Sequence, residues 1–263
     1  MRHLRTHLLI GLLAAGISGA ASAAPYYLRS TVGAPWGEAT NEAAMDTVFG
    51  AGNWGDERYE TVNTASLFTN TNSFIFMEGG DGNANELDLF LTTNLPSITS
   101  WVNGGGRLLL NAAPNEGNGM SFGFGVTLTY PDFNGDGAAV AVDPLHPVFA
   151  GVTTAYTGTS FSHATVSGAG LASIINNGSG NSVLAEMLIG NGIGLFGGMT
   201  TDNFHQPQPD AATLRANIIS YAANTQLNGT VPEPGTMALL GLGMAGLAAI
   251  RRRKEEKVEV AAA

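Results

Sequence analysis

Apolar residues in this chain recur in two rhythms. Ser-Phe-Ile-Phe-Met at 73–77 and Arg-Leu-Leu-Leu-Asn at 107–111 are short, nearly unbroken apolar runs, the pattern of strands buried on both faces. Residues 26–31 predict a first strand and residues 58–62 a second. Between them, the Gly- and Pro-bearing turn at 33–37 leads into a helix over 41–49, closed by Gly50. After the strand at 73–77, Glu78-Gly79-Gly80-Asp81-Gly82 predicts a turn, followed by a helix over 85–91. Pro96 suits the first turn of another helix running to Val102, and Gly104-Gly105-Gly106 ends it.

The second half is more β-like. Strands are predicted at 125–130, 138–142 and 171–175, and residues 183–189 and 194–199 predict an antiparallel pair turned by Gly190-Asn191-Gly192. Asp210 opens a last helix with Leu214, Ile218 and Tyr221 on one face, ending near Ala223. No internal repeat is found. Strand–helix alternation over residues 25–223 predicts an α/β fold: an open, mostly parallel sheet flanked by helices, with a β-rich second half.

The two ends follow different rules. Arg2, His3 and Arg5 precede an apolar stretch at 8–17 and an A-x-A site, Ala21-Ser22-Ala23, so residues 1–24 predict a secretory signal peptide. A retained first membrane helix is the alternative, but Gly11, Gly16 and Gly19 interrupt it. At the other end, a polar linker (224–230) meets Val231-Pro232-Glu233-Pro234, an apolar span at 235–250, and Arg251, Arg252, Arg253 and Lys254. The prolines fix φ and keep the tetrapeptide extended. A helix over the apolar span reaches ~24 Å, short of the ~30 Å hydrocarbon core, and snorkelling arginines cover the difference. The basic cluster marks the cytoplasmic side, so a single transmembrane helix and a cytoplasmic tail (255–263) are expected.

This order of motif, apolar span and basic stop over 231–254 resembles the PEP-CTERM sorting signal of Gram-negative bacteria. The resemblance implies export through the secretion machinery and transient membrane anchoring. Recognition then falls to an exosortase, a membrane cysteine protease that cleaves near the motif. Delivery is to the cell surface or extracellular matrix, where biofilm exopolysaccharide is made. An ordinary single-pass anchor is the alternative. The tail from Glu255 to Ala263 is longer than the few residues usual after the basic stop.

With both ends set aside, the body keeps four basic residues, Arg29, Arg58, Arg107 and Arg215, no lysine, and all but four of the chain's 21 acidic residues. Such a surface excludes nucleic acid, whose binding rests on neutralised phosphates, and adhesion to anionic lipid. Cations, or neutral and basic glycans, remain as partners. The chain has no cysteine, so the exported body rests on a hydrophobic core rather than on disulfides, and about 200 residues suffice for one domain.

The body has a likeness of its own. Phe74-Ile75-Phe76-Met77-Glu78-Gly79-Gly80, a helix, and Trp101-Val102-Asn103-Gly104-Gly105-Gly106-Arg107-Leu108-Leu109-Leu110 resemble the class I glutamine-amidotransferase-like fold. Gly194-Leu195-Phe196-Gly197-Gly198-Met199 with Thr201-Asp202-Asn203-Phe204-His205 is similar to that superfamily's last strand and His-bearing loop. Its enzymes need a cysteine on the turn after the strand at 107–111, where this chain has Ala112, Ala113 and Pro114. Cysteine-dependent glutamine hydrolysis is therefore excluded, and any function has to be argued from a site.

In open α/β sheets, ligands settle beyond the carboxyl ends of the strands. The predicted strands place Glu78 and Asp81 there, with Asn115 and Glu116, and with Asp202 and His205; His163 joins from a loop. This is the expected ligand-binding set, and Glu78, Glu116, His163 and His205 are its candidate catalytic residues, since carboxylates with imidazoles serve acid–base work or hold a divalent cation. The plainer alternative has Asp81 and Asp202 capping turns, Glu78 paired with Arg107, and the histidines packed as polar core.

Three short matches remain. Asp132, Asn134 and Asp136, with Gly137 following and Asp143 at the twelfth position, match a calcium-loop spacing, although Asp replaces the usual Glu and Pro144 follows; an ordinary turn is the alternative. Gly119-Met120-Ser121-Phe122-Gly123 spells a nucleophile elbow without the strand and helix that motif requires. Gly241-Leu242-Gly243-Met244-Ala245-Gly246 spells a dinucleotide fingerprint inside the apolar span, with no strand before it. Trp36, Trp54 and Trp101 read as core or rim aromatics, with stacking on sugar open to an exposed one. The sequence thus predicts an exported, exosortase-processed surface or matrix protein whose body is a non-catalytic binding or structural module associated with exopolysaccharide. The alternative is a metal-assisted or acid–base hydrolase acting on an extracellular glycan.

Overall fold

The computed structural model describes residues 24–71 and 73–225. The expected signal peptide, sorting motif, transmembrane helix and cytoplasmic tail lie outside the described residues. Among the described residues, no helix is long and apolar enough to cross a membrane.

The chain enters through β1 (Tyr26–Arg29), passes along α1 (Thr40–Phe49) to β2 (Gly55–Arg58), and returns by a single-turn α2 (Thr64–Leu67) to β3 (Phe74–Glu78). Next, α3 (Ala84–Asn103) leads to β4 (Arg107–Asn111). These four strands pair in parallel in the order β2-β1-β3-β4. The chain therefore leaves β1 first to one side and then to the other. The crevice between the carboxyl ends of β1 and β3 is the point where ligands bind in sheets of this kind.

Beyond β4 come β5 (Met120–Gly123), β6 (Val126–Thr129), β7 (Ala138–Ala141), β8 (Ala155–Gly158) and β9 (Thr165–Gly168). Then follow β10 (Ala172–Asn177), β11 (Ser182–Ile189), β12 (Gly192–Gly197), β13 (His205–Gln206) and α4 (Asp210–Asn224). The main sheet runs β13-β8-β7-β10-β11-β12-β4-β3-β1-β2, and β5-β6-β9 form a small second sheet. The expectation of a mostly parallel sheet needs correction. β12 is parallel to β4 but antiparallel to β11, and everything beyond β11 is antiparallel. The cause is local: tight turns such as Gly190-Asn191 can join only antiparallel neighbours, whereas a parallel pair needs a crossover of a dozen residues or more.

Alternation along the central strands sorts their side chains by face. Tyr27, Phe74, Phe76, Leu109, Ile193 and Leu195 pack with α1 and α4. Leu28, Ile75, Met77, Leu108, Leu110 and Phe196 pack with α3 and with Phe122, Leu128 and Val166 of the small sheet. Where two helices are expected, at 85–91 and from Pro96, α3 is one helix with Pro96 inside it. Interior proline costs about 3 kcal/mol, but Pro96 faces solvent. Leu87, Phe90 and Leu91 before it, and Ile98, Trp101 and Val102 after it, form one buried stripe. That continuous packing holds both halves on one axis. The strand expected at 58–62 is displaced to β2, and Thr61 and Val62 instead close a turn on the Arg58 carbonyl.

Gly192 starts β12 where it crosses the end of α3. A Cβ there would lie 2.1 Å from the Val102 carbonyl oxygen and 2.4 Å from that of Gly106, and neither backbone group has room to move. Gly192→Ala is expected to cost about 3 kcal/mol, or roughly 10 °C in Tm, readable by thermal unfolding. The sheet's two edges are blunted. β2 carries Asp56, Glu57 and Arg58, with Arg58 Nη2 2.9 Å from Asp56 Oδ2, and β13 is two residues long and is followed by Pro207.

Candidate functional site

The carboxyl ends of β1, β3, β4 and β12 meet the loop before β9 and one face of α4. Glu78 ends β3 at 1% exposure. Its Oε1 accepts from the Gly80 amide at 2.6 Å, and its Oε2 accepts from Asn41 Nδ2 at 2.8 Å and Asn111 Nδ2 at 3.5 Å. Burial pushes its carboxyl up to about 7, against the pull of the Arg215 charge and these donors. Asn111 also clamps the segment after β12, donating to the Met199 carbonyl at 2.8 Å and accepting from the Met199 amide at 3.1 Å. The Tyr59 hydroxyl donates to the Glu78 carbonyl at 2.9 Å. The expected Glu78–Arg107 pair does not form: Arg107 begins β4, opposite Phe74, whereas Glu78 lies opposite Asn111 at the other end.

Arg215 reaches in from α4, buried among Leu214, Ile218 and Ile219, and donates through Nη2 to the Thr200 carbonyl. Thr200 Oγ1 lies 2.9 Å from His205 Nε2, which also lies 3.1 Å from the Phe161 carbonyl, and the His205 ring stacks on Phe161 at 4.0 Å. Burial first, and the Arg215 charge second, hold His205 down at about 3. The imidazole is thus a neutral, enclosed part of the packing. Of the four candidate catalytic residues, Glu78 and His205 are committed to internal partners. Glu116 sits apart, accepting from the Asn85 amide at 3.2 Å at the start of α3, where a carboxylate favours the helix dipole.

Above Glu78 the crevice is aromatic. Trp36 has a left-handed backbone (φ 54), uncommon for a bulky residue, and its amide donates to Asp81 Oδ2 at 2.9 Å. Asp81, itself at φ 54, accepts through Oδ1 from Asn115 Nδ2 at 2.8 Å. Asp81 and Asn115 therefore brace the Trp36 loop against β3 and β4. The Trp36 ring meets His163 at 6.1 Å and Phe204 at 5.3 Å. Tyr130 and Phe133 approach the same imidazole at 5.8 and 6.0 Å.

The structure thus links the His163 loop and the segment bearing Asp202 through the Trp36 ring, encloses His205 against Phe161, and leaves Glu116 at a helix end. Trp36, Tyr130, Phe133, Asn41, Asn111 and Arg215 belong here too and were not in the expected set. For Arg215 the signal was present, as an arginine amid the apolar face of the last helix.

The calcium-loop spacing does not close around an ion. Asp132 Oδ1 accepts from the amide and Nδ2 of Asn134, and its Oδ2 accepts from Thr165 Oγ1 and Asn181 Nδ2. Asp136 accepts from Ser160 Oγ. Asp143 caps a separate turn beyond β7, taking the Leu145 amide. Extended β7 begins within the twelve positions and carries Asp143 away. Among the described residues, no group of three or more His, Asp or Glu side chains is placed to hold a metal. Ser121 of the elbow-like match lies on β5, an exposed position in an antiparallel strand.

Residues 230–254 match the PEP-CTERM protein-sorting motif. No curated protein matches the chain. Among solved structures, a protein described as one component of the GMP synthase of Thermoplasma acidophilum is similar at 11% identity and a TM-score of 0.48, over 76% of this chain and 94% of that one. A cytoplasmic protein of Salmonella typhimurium is similar at 15% identity and a TM-score of 0.42, over 71% and 87%. The cold-adapted beta-galactosidase of Rahnella sp. R3 gives 12% and 0.45; the match covers 80% of this chain and only a third of that enzyme (33%). Likenesses this distant say nothing of chemistry.

Proposed function

We infer, from a chain that carries the PEP-CTERM sorting motif at residues 230–254, that the protein is exported, held briefly in the membrane and cut by an exosortase near Val231–Pro234. The released body then acts at the cell surface or in the matrix. The sorting motif is the observation that carries this reading. For the body we favour a non-catalytic binding or structural module associated with exopolysaccharide, on a scaffold of amidotransferase-like type without the nucleophile. Its support is the state of the candidate catalytic groups: Glu78 and His205 are buried and bonded inward, so neither faces a substrate.

The hydrolase reading keeps one observation in its favour, a Glu78 carboxyl near 7, the range that suits a general acid at neutral pH. The test for both is incubation of the secreted mature protein with the host's own exopolysaccharide. Retention on the polymer with no new reducing ends is expected. Steady release of reducing ends, abolished by Glu78→Gln, would replace the module with an enzyme.

A further inference from the structure

Resting on the matrix-module reading, we propose that the crevice holds a neutral polyhydroxylated ring, a hexopyranose unit of a glycan. Trp36, Tyr130, Phe133 and His163 would bound it, and Ser162 and Asp202 would hydrogen-bond to it. The first observation is a group of polar atoms without partners: Ser162 Oγ, His163 Nε2, Thr201 Oγ1 and Asp202 Oδ1, on residues 1, 6, 1 and 5% exposed. Each buried polar atom left unpaired costs about 1–3 kcal/mol, and native folds leave few of them. Of the fourteen such atoms among the described residues, four lie on two adjoining segments. Ser162 bridges to Met199, and the Thr200 amide donates to the Phe161 carbonyl at 3.0 Å.

The second observation is the aromatic rim. Trp36 spans the two segments by touching His163 on one and Phe204 on the other. Phe133, 60% exposed, loses little burial by turning outward, which removes one of the three rings packed on His163. A sugar ring offers an apolar face to such rings and hydroxyls to the atoms beneath.

Charge and shape select among ligands. A carboxylate only accepts, whereas hydroxyls and an imidazole can each donate or accept, so hydroxyl groups satisfy all four atoms. An anion is disfavoured by a body whose acidic residues far outnumber its four arginines, although Arg215, buried in α4, keeps Nη1 unpartnered. Arg29 pairs with Glu42 and Asp56, Arg58 with Asp56, and Arg107 and Arg215 donate to backbone carbonyls. The same rings would also accept an organic cation, which the chitosan arm of the test separates from a neutral sugar.

The test uses the secreted mature protein, titrated calorimetrically with neutral hexasaccharides of glucose, galactose and mannose, with a chitosan hexamer and with hexagalacturonate. At least one neutral ligand is expected to bind, with both charged ones at least tenfold weaker. Trp36→Ala, Ser162→Ala and Asp202→Asn should each weaken binding tenfold or more, while Leu145→Ser, remote and exposed, leaves it unchanged. If Trp36→Ala fails to fold, the two conservative variants still decide. Variants that bind like the parent overturn the site and leave the matrix-module reading standing, as does a parent retained on exopolysaccharide that ignores every neutral sugar. Preference for chitosan overturns the neutral-ligand assignment. A parent retained on neither polymer nor oligosaccharide overturns both.

Discussion

Replacing Pro232, Glu233 and Pro234 by alanine is expected to leave the protein unprocessed in the membrane fraction, with released protein falling at least tenfold. The three residues lie inside the matched sorting motif, directly before the apolar span. Proline costs a helix interior about 3 kcal/mol relative to alanine, so the substitution removes the barrier to a helix through these positions, a form that a protease cleft does not accept. Three alanines remove that barrier and the Glu233 charge together. They leave the apolar span and Arg251 to Lys254 in place, so anchoring persists while cleavage stops. Intact-mass measurement of both fractions reads this directly, because retained protein keeps the mass of Gly235 to Ala263. Wild-type release of the alanine variant, in a host that possesses the exosortase, would remove the basis of the cellular assignment.

The second large effect is a stability profile shaped by two buried groups acting in opposite directions. His205 has its folded pKa held at about 3, below the ordinary 6.5. Below pH 6.5 the unfolded chain takes up a proton that the folded protein refuses, so stability falls as pH drops from 6.5 towards 3. Glu78 is raised from 4.5 to about 7. Between those values the folded protein keeps a proton that the unfolded chain releases, so stability falls as pH rises from 4.5 to 7. By linkage each shift is worth a few kcal/mol over its own window. From pH 4.5 to 6.5 the two slopes oppose, with the raised Glu42 carboxyl adding to the Glu78 side; below 4.5 His205 drives the loss together with Glu60 and Glu186, whose lowered carboxyls also lose their contribution in acid. Urea unfolding at pH 4, 5.5 and 7.5 separates the groups. His205→Gln should flatten the acid limb, and Glu78→Gln should gain on the parent towards pH 7.5. If all three proteins give parallel profiles, the buried-group account fails.

What could be read from the chain depended on how local the signal was. β3, β4 and β12 are runs whose neighbours in sequence already declare both faces buried, and they fall where expected. β5, β8 and β9 were not expected because Ser121, Thr157 and Ser167 break the apolar pattern, and these strands are fixed by partners far along the chain. α3 was expected in two pieces because proline propensity is local, while the stripe that overrides it is a property of the folded core. Glu78 and Asp202 were expected at strand ends by type and position, and Glu78 does end β3 while Asp202 follows β12. The meeting of Trp36, Tyr130 and His163 was not legible, since three distant segments converge only once the strand order is set. The Asp132 to Asp143 spacing misled for the converse reason: spacing alone is blind to the strand that starts within it.

The guarded ends of the large sheet bear on life in a crowded matrix. Wherever copies of a chain meet at high local concentration, an open row of amides and carbonyls would recruit the next molecule and grow into fibrils. Charged β2 offers a poor template to a copy of itself, and two-residue β13, stopped by Pro207, offers almost none. The body is therefore suited to remain a separate particle when packed densely, and on the matrix-module reading cohesion would come from the polymer and not from the protein.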